Sequence, residues 1–275
     1  MALLWAFELY PLSAVPSCFL RFCCIAVFWG LLAACQGNDA PVDRRTLQGT
    51  DYRLFQGTPL WAVARAAQTN DAQRLAALGT AGGFRVDAPE PRFGKTVLQL
   101  AVANGDYAAC EALLRLGADP NAHDRYHGSS AMLEAARRPD PSFVELLLAH
   151  GGHPNDAETG PRRPGNTQRN TPLLHAVNSS LATVKVVLAA GANLNYENEF
   201  GTTALSRALV HDRYAIAWYL LQHGANPRKP VLRRPGPNGS YPVYLPQYLA
   251  EVQQGGADNE EINQMLAFLR APNRK

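Results

Sequence analysis

The chain has 275 residues, of which 47 % are hydrophobic and 18 % are charged, and its formal net charge at pH 7 is +3. This composition excludes a largely disordered chain, because disordered segments combine low hydrophobicity with high net charge. The basic excess is too small to indicate a nucleic-acid partner. We therefore expect a folded protein, long enough for one extended domain or two compact ones.

The N-terminal segment 1–35 is predicted to be a signal peptide. Its apolar run at 23–34 has the length of a signal-peptide core and is shorter than a bilayer span. The run ends in Leu32-Ala33-Ala34-Cys35, which resembles the lipobox of bacterial lipoproteins. That resemblance implies that Cys35 is diacylated and becomes the mature N-terminus, and two acyl chains are enough for stable anchoring. The alternative is an uncleaved membrane anchor, because Arg21 alone supplies the positive flank.

The residue after the lipobox indicates which membrane would carry the lipoprotein. Gln36, in place of Asp, implies by the same resemblance an outer-membrane lipoprotein that faces the periplasm, and the alternative is a periplasmic protein anchored in the inner membrane. Residues 1–20 are also unusually apolar, and one explanation is that translation begins downstream at a non-Met codon, such as that of Val15 or Leu20. Residues 36–51 are polar and carry Gly, Asn, Asp and Pro, which predicts a flexible tether.

Two short motifs recur in phase along the rest of the chain. The closing motif Gly-Ala-Asp-Pro-Asn at 117–121 returns in related forms at 151–155, 191–195 and 224–228. The opening motif Thr-Pro-Leu at 58–60 returns in related forms at 96–98, 130–132, 171–173 and 203–205. Between an opening and a closing lie a short and a longer apolar segment, which predicts two helices per repeat.

A period near 33 residues with these two motifs resembles the ankyrin repeat. The resemblance implies an all-α solenoid of helix–turn–helix repeats with short β-turn fingers. We expect an ankyrin-repeat domain at 52–270, with five repeats at 58–227, a degenerate C-terminal cap at 239–270 and a tail at 271–275. Cys110 lies inside a second helix, where we expect a buried and inert thiol.

The search for catalytic motifs finds none. The sequence has no HExxH, GxSxG or GxxxxGK[ST] motif and no CxxC pair after Cys35. His123 and His127 share a turn with Asp124, but a metal site there needs ligands that the sequence does not place nearby. We therefore expect no catalysis, no metal and no cofactor. The remaining enzymatic alternative is a hydrolase that lacks familiar motifs.

A solenoid exposes one continuous surface built from equivalent positions of its repeats. In ankyrin proteins that this chain resembles, the turn tips and the exposed ends of the first helices contact another protein. The matching positions are Arg92, Phe93, Lys95, Asn104, Tyr126, His127, Ser129, Arg137, Arg138, Asn178, Ser179, Glu199, Phe200, Thr202 and His211. Interface hot spots favour such aromatic and arginine side chains, whereas the alternative is a set of tips that are polar because they are solvated. Unbound, the chain is expected to be a monomer.

Two long turns contain the same tetrapeptide, Arg162-Arg163-Pro164-Gly165 and Arg233-Arg234-Pro235-Gly236. Paired arginines can bind carboxylates or phosphates through two hydrogen bonds. Because successive turns project from the same edge of the stack, both are expected to form a basic clamp for an acidic partner surface or for lipid headgroups. The alternative is two solvated loops that share a common dipeptide.

Three first helices carry a polar residue where ankyrin repeats usually carry Leu. These residues are Glu134, His175 and Arg207, which predict either a polar ladder in the groove or partly exposed first helices. Lipid-anchored periplasmic ankyrin proteins of bacteria, as a class, include immunity or inhibitor proteins that neutralise toxic effectors, lipases among them. The resemblance therefore implies a membrane-tethered protein-binding module of this kind, and the alternative is a constitutive envelope scaffold or a stress-protective interaction protein.

Overall fold

The computed structural model describes residues 40–161, 169–236, 239–256 and 259–271. Within these ranges the chain forms twelve α-helices, one short 3-10 helix at Tyr52–Phe55 and one two-stranded sheet. The chain divides after Asp43, and every one of these elements lies in the part from Arg44 onward. None of the helices in the described ranges has both the length and the apolar character needed to cross a bilayer. The segment 1–35 with its lipobox lies outside the described residues.

Ten helices form five consecutive pairs, one for each repeat. The pairs are α1 (Trp61–Gln68) with α2 (Ala72–Ala81), α3 (Val97–Asn104) with α4 (Tyr107–Arg115), α5 (Ala131–Ala136) with α6 (Ser142–Ala149), α7 (Pro172–Ser179) with α8 (Leu181–Ala189), and α9 (Ala204–Val210) with α10 (Tyr214–Gln222). Each helix packs on its own partner and on the equivalent helix of the neighbouring repeat. This arrangement confirms the predicted all-α ankyrin solenoid.

In the second to fifth repeats the hydroxyl residue of the opening motif begins the first helix. Thr96, Ser130, Thr171 and Thr203 each accept a hydrogen bond from the backbone N–H three residues later. Thr96 with Gln99, and Thr203 with Ser206, also form reciprocal capping boxes. Because the first turn of a helix leaves its amide groups without helical partners, these side chains stabilise helix initiation at fixed points.

Small and branched apolar residues fill the space between the helices. Five alanines of the first helices are fully buried, so neighbouring helices approach closely; they are Ala101, Ala135, Ala136, Ala176 and Ala208. In α4, Cys110 and Leu113 are also fully buried. Burial raises the pKa of the Cys110 thiol to about 12, so the group is protonated at neutral pH. The prediction of a buried, inert thiol is confirmed.

Asparagines of the closing motif connect one repeat to the next. Asn121 accepts a hydrogen bond from the backbone N–H of His153 at 2.8 Å and donates one to the Gly151 carbonyl at 2.9 Å. The same two bonds run from Asn155 to Asn193 and Gly191, and from Asn195 to Asn226 and Gly224. The recurring asparagine therefore sets the spacing between repeats on this edge of the stack.

The C-terminal unit departs from the repeat pattern. A hairpin of β1 (Leu232–Gly236) and β2 (Gly239–Val243) pairs Arg234 with Tyr241 and precedes α11 (Leu245–Gln254) and α12 (Glu260–Arg270). Helix α12 packs on α10, where Trp218 and Phe268 meet edge to face with ring centroids 5.3 Å apart. The hairpin occupies the place that a short finger has in the other repeats. The domain limits given in the sequence analysis, 52–270 for the repeats and 239–270 for the cap, remain predictions.

Candidate protein-binding surface

We call the turn that precedes a first helix a finger, and the second to fifth fingers are residues 90–95, 124–129, 158–170 and 198–202. Each is built around one buried polar side chain at its start, which the sequence analysis missed; these are Glu90, Asp124, Glu158 and Asn198. Asp124 Oδ1, for example, accepts backbone hydrogen bonds from Tyr126, His127 and Gly128 at 2.6 to 3.1 Å. Carboxylates that accept several amide hydrogen bonds fix a turn strongly, so the tips of the second and third fingers are preorganised. The available signal was a polar residue six positions before both Thr96 and Ser130.

Aromatic side chains meet at the tips of the second and third fingers. Phe93 and Tyr126 pack edge to face with ring centroids 5.5 Å apart, and the His127 ring lies 4.5 Å from Tyr126. The Arg92 guanidinium stacks on Phe93 at 4.5 Å. The backbone N–H of Arg125 donates to the Phe93 carbonyl at 3.0 Å and joins the two fingers. We call Arg92, Phe93, Tyr126 and His127 the aromatic tip cluster.

Other predicted residues near this cluster hold the fold together. Arg92 also donates to the Leu47 carbonyl at 2.7 Å, and Asn104 donates to the Thr50 carbonyl at 2.9 Å. Lys95 is half-buried within its finger. Arg92 and Asn104 therefore tie residues 47–50 to the second repeat.

Two of the predicted surface residues have structural positions instead. Ser129 is fully buried, and its carbonyl accepts a hydrogen bond from the Asp124 amide at 2.8 Å. Arg138 donates to the carbonyls of Val102 and Ala103, at 3.0 and 3.1 Å, at the C-terminal end of α3. Ser129 is therefore not available to a partner, and Arg138 connects the second and third repeats.

Beneath the third to fifth fingers lies a polar ladder, formed by Glu134, Arg137, Glu158, Asn170, His175 and Arg207. Arg137 bridges Glu134 at 3.0 Å and Glu158 at 2.9 Å. Glu158 also contacts His175 Nε2 at 3.0 Å, while Arg207 donates to Asn170 at 2.8 Å. Arg207 is only 9 % exposed. The structure thus favours the ladder over the alternative of exposed first helices.

The two central members of the ladder have shifted pKa values. Burial lowers the pKa of His175 below its usual value, although its hydrogen bond to Glu158 opposes the shift. For Glu158 burial acts against ionisation, but the contacts with His175 and Arg137 leave its pKa below the usual value. At pH 7 the ladder therefore holds an ionised Glu158 beside a neutral His175. His175 Nδ1 faces Arg137 Nε at 3.4 Å, which assigns the imidazole hydrogen to Nε2.

A groove of about 870 Å³ lies between the fifth finger, α9 and the start of the hairpin. It brings together six of the residues predicted from sequence: Asn178, Glu199, Phe200, Thr202, His211 and Arg233. Phe200 is 60 % exposed at its rim, and Val210 is 47 % exposed. We call this feature the C-terminal groove. Ser179 instead lines a smaller cavity of about 370 Å³ beside Arg213.

The second arginine pair is divided by the strand that contains it. Arg234 Nη2 lies 2.7 Å from Glu251 Oε2 of α11, whereas Arg233 is exposed and lines the C-terminal groove. Successive side chains of a strand point to opposite faces, so these two guanidinium groups do not act on one ligand. The expected two-arginine clamp is therefore wrong for this copy. Arg162 and Arg163 of the other copy lie outside the described residues.

His123, which the sequence analysis considered as a metal ligand, is instead paired with Asp156. His123 Nε2 lies 2.9 Å from Asp156 Oδ1, and this contact raises the pKa of His123 above its usual value. Across the part of the chain that the structure describes, no group of three or more His, Cys, Asp or Glu side chains could hold a metal ion.

Family models and relatives agree with this architecture. The ankyrin repeat model matches residues 93–125, and a model of three ankyrin repeats matches residues 128–230. Protein PhlB of Serratia liquefaciens is 33 % identical over 168 residues, which are 60 % of this chain and 68 % of PhlB. The ankyrin repeat and KH domain-containing protein mask-1 of Caenorhabditis elegans is 31 % identical over 172 residues, which are 62 % of this chain.

Several relatives are much longer than the matched region. The chain spans 6 % of mask-1 and 38 % of the putative ankyrin repeat protein R664 of Acanthamoeba polyphaga mimivirus. The crystal structure of the ankyrin repeat protein EF0377 superimposes with a TM-score of 0.56, covering 75 % of this chain and 96 % of that one at 22 % identity, and shows the same fold. Neither matching family model describes an enzyme, and ankyrin repeats are protein–protein interaction modules. The chain belongs to the ankyrin-repeat family.

Proposed function

We propose that this protein is a membrane-tethered periplasmic inhibitor that binds a toxic effector, as an immunity protein does. The observation that carries the proposal is the pair of exposed contact sites on one row of fingers, the aromatic tip cluster and the C-terminal groove. Tyr126 is 40 % exposed in the first and Phe200 is 60 % exposed in the second. Large aromatic side chains of this kind dominate binding energy at protein interfaces.

The rigidity of the fingers supports tight binding. Ordering loops and side chains costs free energy when two proteins associate, and a preorganised surface avoids part of that cost. In this chain Glu90, Asp124 and Asn198 fix three fingers before any partner arrives. An inhibitor of a toxic protein requires tight binding, and the surface is suited to that task. A solenoid presents enough surface for a standard interface of about 1,600 Å².

The tether rests on the sequence around the lipobox. Diacylated Cys35 would hold the repeats on the outer membrane, facing the periplasm, with an inner-membrane anchor as the alternative. Residues that follow Cys35 would connect the lipid to the first repeat. Replacing Cys35 by Ser should abolish metabolic labelling with palmitate and release the protein from the membrane fraction. Unchanged labelling and fractionation would contradict the tether.

The inhibitor role is tested by partner capture with matched variants. The chain from Gln36 onward is immobilised and exposed to a membrane-containing extract of its host, beside the double variant Tyr126→Ala/Phe200→Ala and the control Tyr244→Ala. Tyr244 is 45 % exposed but belongs to neither contact site. Wild type and control should retain one stoichiometric protein that the double variant loses.

The captured protein is then expressed alone and with the inhibitor. We expect it to be toxic alone and harmless when the wild-type chain is co-expressed. A harmless partner would favour the envelope scaffold instead. Equal capture by all three proteins would contradict the proposed surface.

A further inference from the structure

We propose that the C-terminal groove binds an extended segment of the partner protein, in which a large apolar side chain lies close to an Asp or Glu carboxylate. This inference rests on the proposed protein-binding function and deepens it, because it names the chemistry recognised at one of the two contact sites.

Backbone hydrogen bonds join two pairs of neighbouring fingers earlier in the stack, whereas the two sides of the groove, as far as the structure describes them, are not joined in this way. The second and third fingers share the bond from the Arg125 amide to the Phe93 carbonyl, and the third and fourth share one from the Thr159 amide to the Gly128 carbonyl, each 3.0 Å long. Across the described residues, no backbone hydrogen bond joins the fifth finger to residues 229–233 of the hairpin side. The space between them is the groove of about 870 Å³. A segment of another chain can occupy a position that fingers fill for themselves in the earlier repeats.

One wall of the groove offers a strand edge. Leu232 and Arg233 of β1 line it, and β1 pairs with β2 along one edge only. In the described part of the chain no further strand joins this sheet. Extended peptides bind such open edges through main-chain hydrogen bonds, and adjacent pockets for side chains supply specificity. The occupant is therefore expected to be extended.

The apolar requirement follows from Phe200 and Val210. Phe200 is the most exposed large hydrophobic residue of the described chain, at 60 %, and Val210 at the end of α9 lines the same groove. A single exposed apolar residue is ordinary, but two that line one concavity give a bulky apolar side chain a place to be buried.

The acidic requirement follows from the charges that line the groove. Lys229 is paired with Glu197 at 2.6 Å, and Glu199 lies 3.6 Å from Arg169. Arg207 is held by Asn170 and by the Leu174 carbonyl. Arg233 is exposed, and within the described residues it has neither an ion pair nor a hydrogen bond from its guanidinium group. A guanidinium group that lines a groove binds a carboxylate through two parallel hydrogen bonds.

A charge-reversal selection tests this inference. Random peptides displayed on phage are selected against the wild-type chain, against Arg233→Glu and against the control Arg228→Glu. Arg228 is exposed and does not line the groove, so the control makes the same change of charge outside it. Because Arg233 is also exposed, both variants should keep the wild-type midpoint of thermal unfolding.

Wild type and control should enrich peptides with a bulky apolar residue close to Asp or Glu. Arg233→Glu should enrich Lys or Arg at the acidic position and change the acidic-to-basic preference by about tenfold, as expected for losing a hydrogen bond between charged groups. A selection without a shared motif would overturn the inference, and so would a motif that Arg233→Glu leaves unchanged. If no motif appears while the wild type still captures and neutralises its partner, the inference fails and the proposed function stands. If a shared motif appears but the wild type captures no partner, the groove chemistry stands and the proposed inhibitor function fails.

Discussion

Arg92 and Arg138 of the second and third repeats differ in their contacts from Arg233 of the hairpin at the end of the stack. Arg138 is directed at the carbonyls of Val102 and Ala103, and Arg92 reaches the Leu47 carbonyl, so both connect parts of this chain. Arg233 lines an open groove and has no such partner in the described residues. The difference shows that a surface position in a repeat does not make an arginine available for binding. What decides is whether a neighbouring repeat already uses its hydrogen-bond donors.

The largest effect is expected at the polar ladder, which spans the third to fifth repeats between the two regions. Glu158→Ala would remove the carboxylate that accepts hydrogen bonds from the Asn170 amide, from His175 and from the exposed Arg137, which keeps its ion pair with Glu134. We expect a loss of about 3–5 kcal/mol in the free energy of unfolding, because Glu158 is 6 % exposed and its removal leaves three hydrogen-bond donors without this acceptor. Chemical denaturation measures it. The exposed Glu199 is the control, since Glu199→Ala should change stability by less than about 0.5 kcal/mol.

The next largest loss of stability is expected when the polar anchor of a finger is removed, and it can be compared between the third and the fifth fingers. Asp124→Ala removes three backbone hydrogen bonds from the third finger, and Asn198→Ala removes two from the fifth. Losses of about 3 and 2 kcal/mol are expected, since bonds to a charged acceptor are stronger than bonds to an amide. Hydrogen exchange should rise mainly in the finger that lost its anchor. A uniform rise along the whole stack would contradict the assignment of one anchor to one finger.

A change at the groove should affect binding and leave the fold intact. Phe200→Ala removes a side chain that is 60 % exposed, so the midpoint of thermal unfolding should stay close to that of the wild type. Its affinity for the captured partner should fall by about 2 kcal/mol or more, which is roughly 30-fold, as for hot-spot aromatics. Calorimetric titration measures this affinity for Phe200→Ala and for the control Tyr244→Ala. Equal affinities of the two variants would place the groove outside the interface.

The smallest effect concerns pH and compares His175 with His123. The pKa of His175 is lowered in the folded protein, so its contribution to stability is complete above the usual value of 6.5 and is lost as pH falls from there through the folded-state value. The pKa of His123 is raised, so its contribution is complete below 6.5 and is lost as pH rises through the folded-state value.

The two substitutions should therefore act in opposite directions on the slope of stability against pH. Between about pH 5.5 and 7.5, His175→Gln should make stability rise less with pH, and His123→Gln should make it rise more. Denaturation midpoints at several pH values measure both slopes. If the two slopes changed in the same direction, at least one of the assigned pKa shifts would be wrong.

The fold could be predicted from the sequence because its signals are local. Thr96 and Thr203 begin helices through bonds to residues three positions later, and the asparagines of the closing motif recur with the period of the repeat. Both signals are visible in the one-dimensional pattern. The hairpin was missed as a strand pair, because Pro235 and Gly236 are typical of a turn.

The candidate site could be predicted only in part. Phe200, His211 and Arg233 were found because their positions in the chain are typical of exposed tips. Exposure of Ser129 and the availability of Arg138 depend on how one repeat packs on the next, which no local pattern encodes. The anchor Asp124 was missed because its partners are backbone amides brought together by the finger, so that only its spacing from Ser130 could have indicated it. Glu158 was missed because the side chains of Arg137 and His175 reach it from other helices.

The most direct test measures stability and partner affinity side by side for Arg138→Ala and Arg233→Glu. Arg138→Ala should lower the free energy of unfolding by about 1–3 kcal/mol, because two carbonyls lose their charged donor. Its affinity for the captured partner should remain that of the wild type. Arg233→Glu should keep the stability and lose affinity by about tenfold. If Arg233→Glu instead destabilised the fold, or bound the partner as tightly as the wild type, the division between structural and partner-binding arginines would be contradicted.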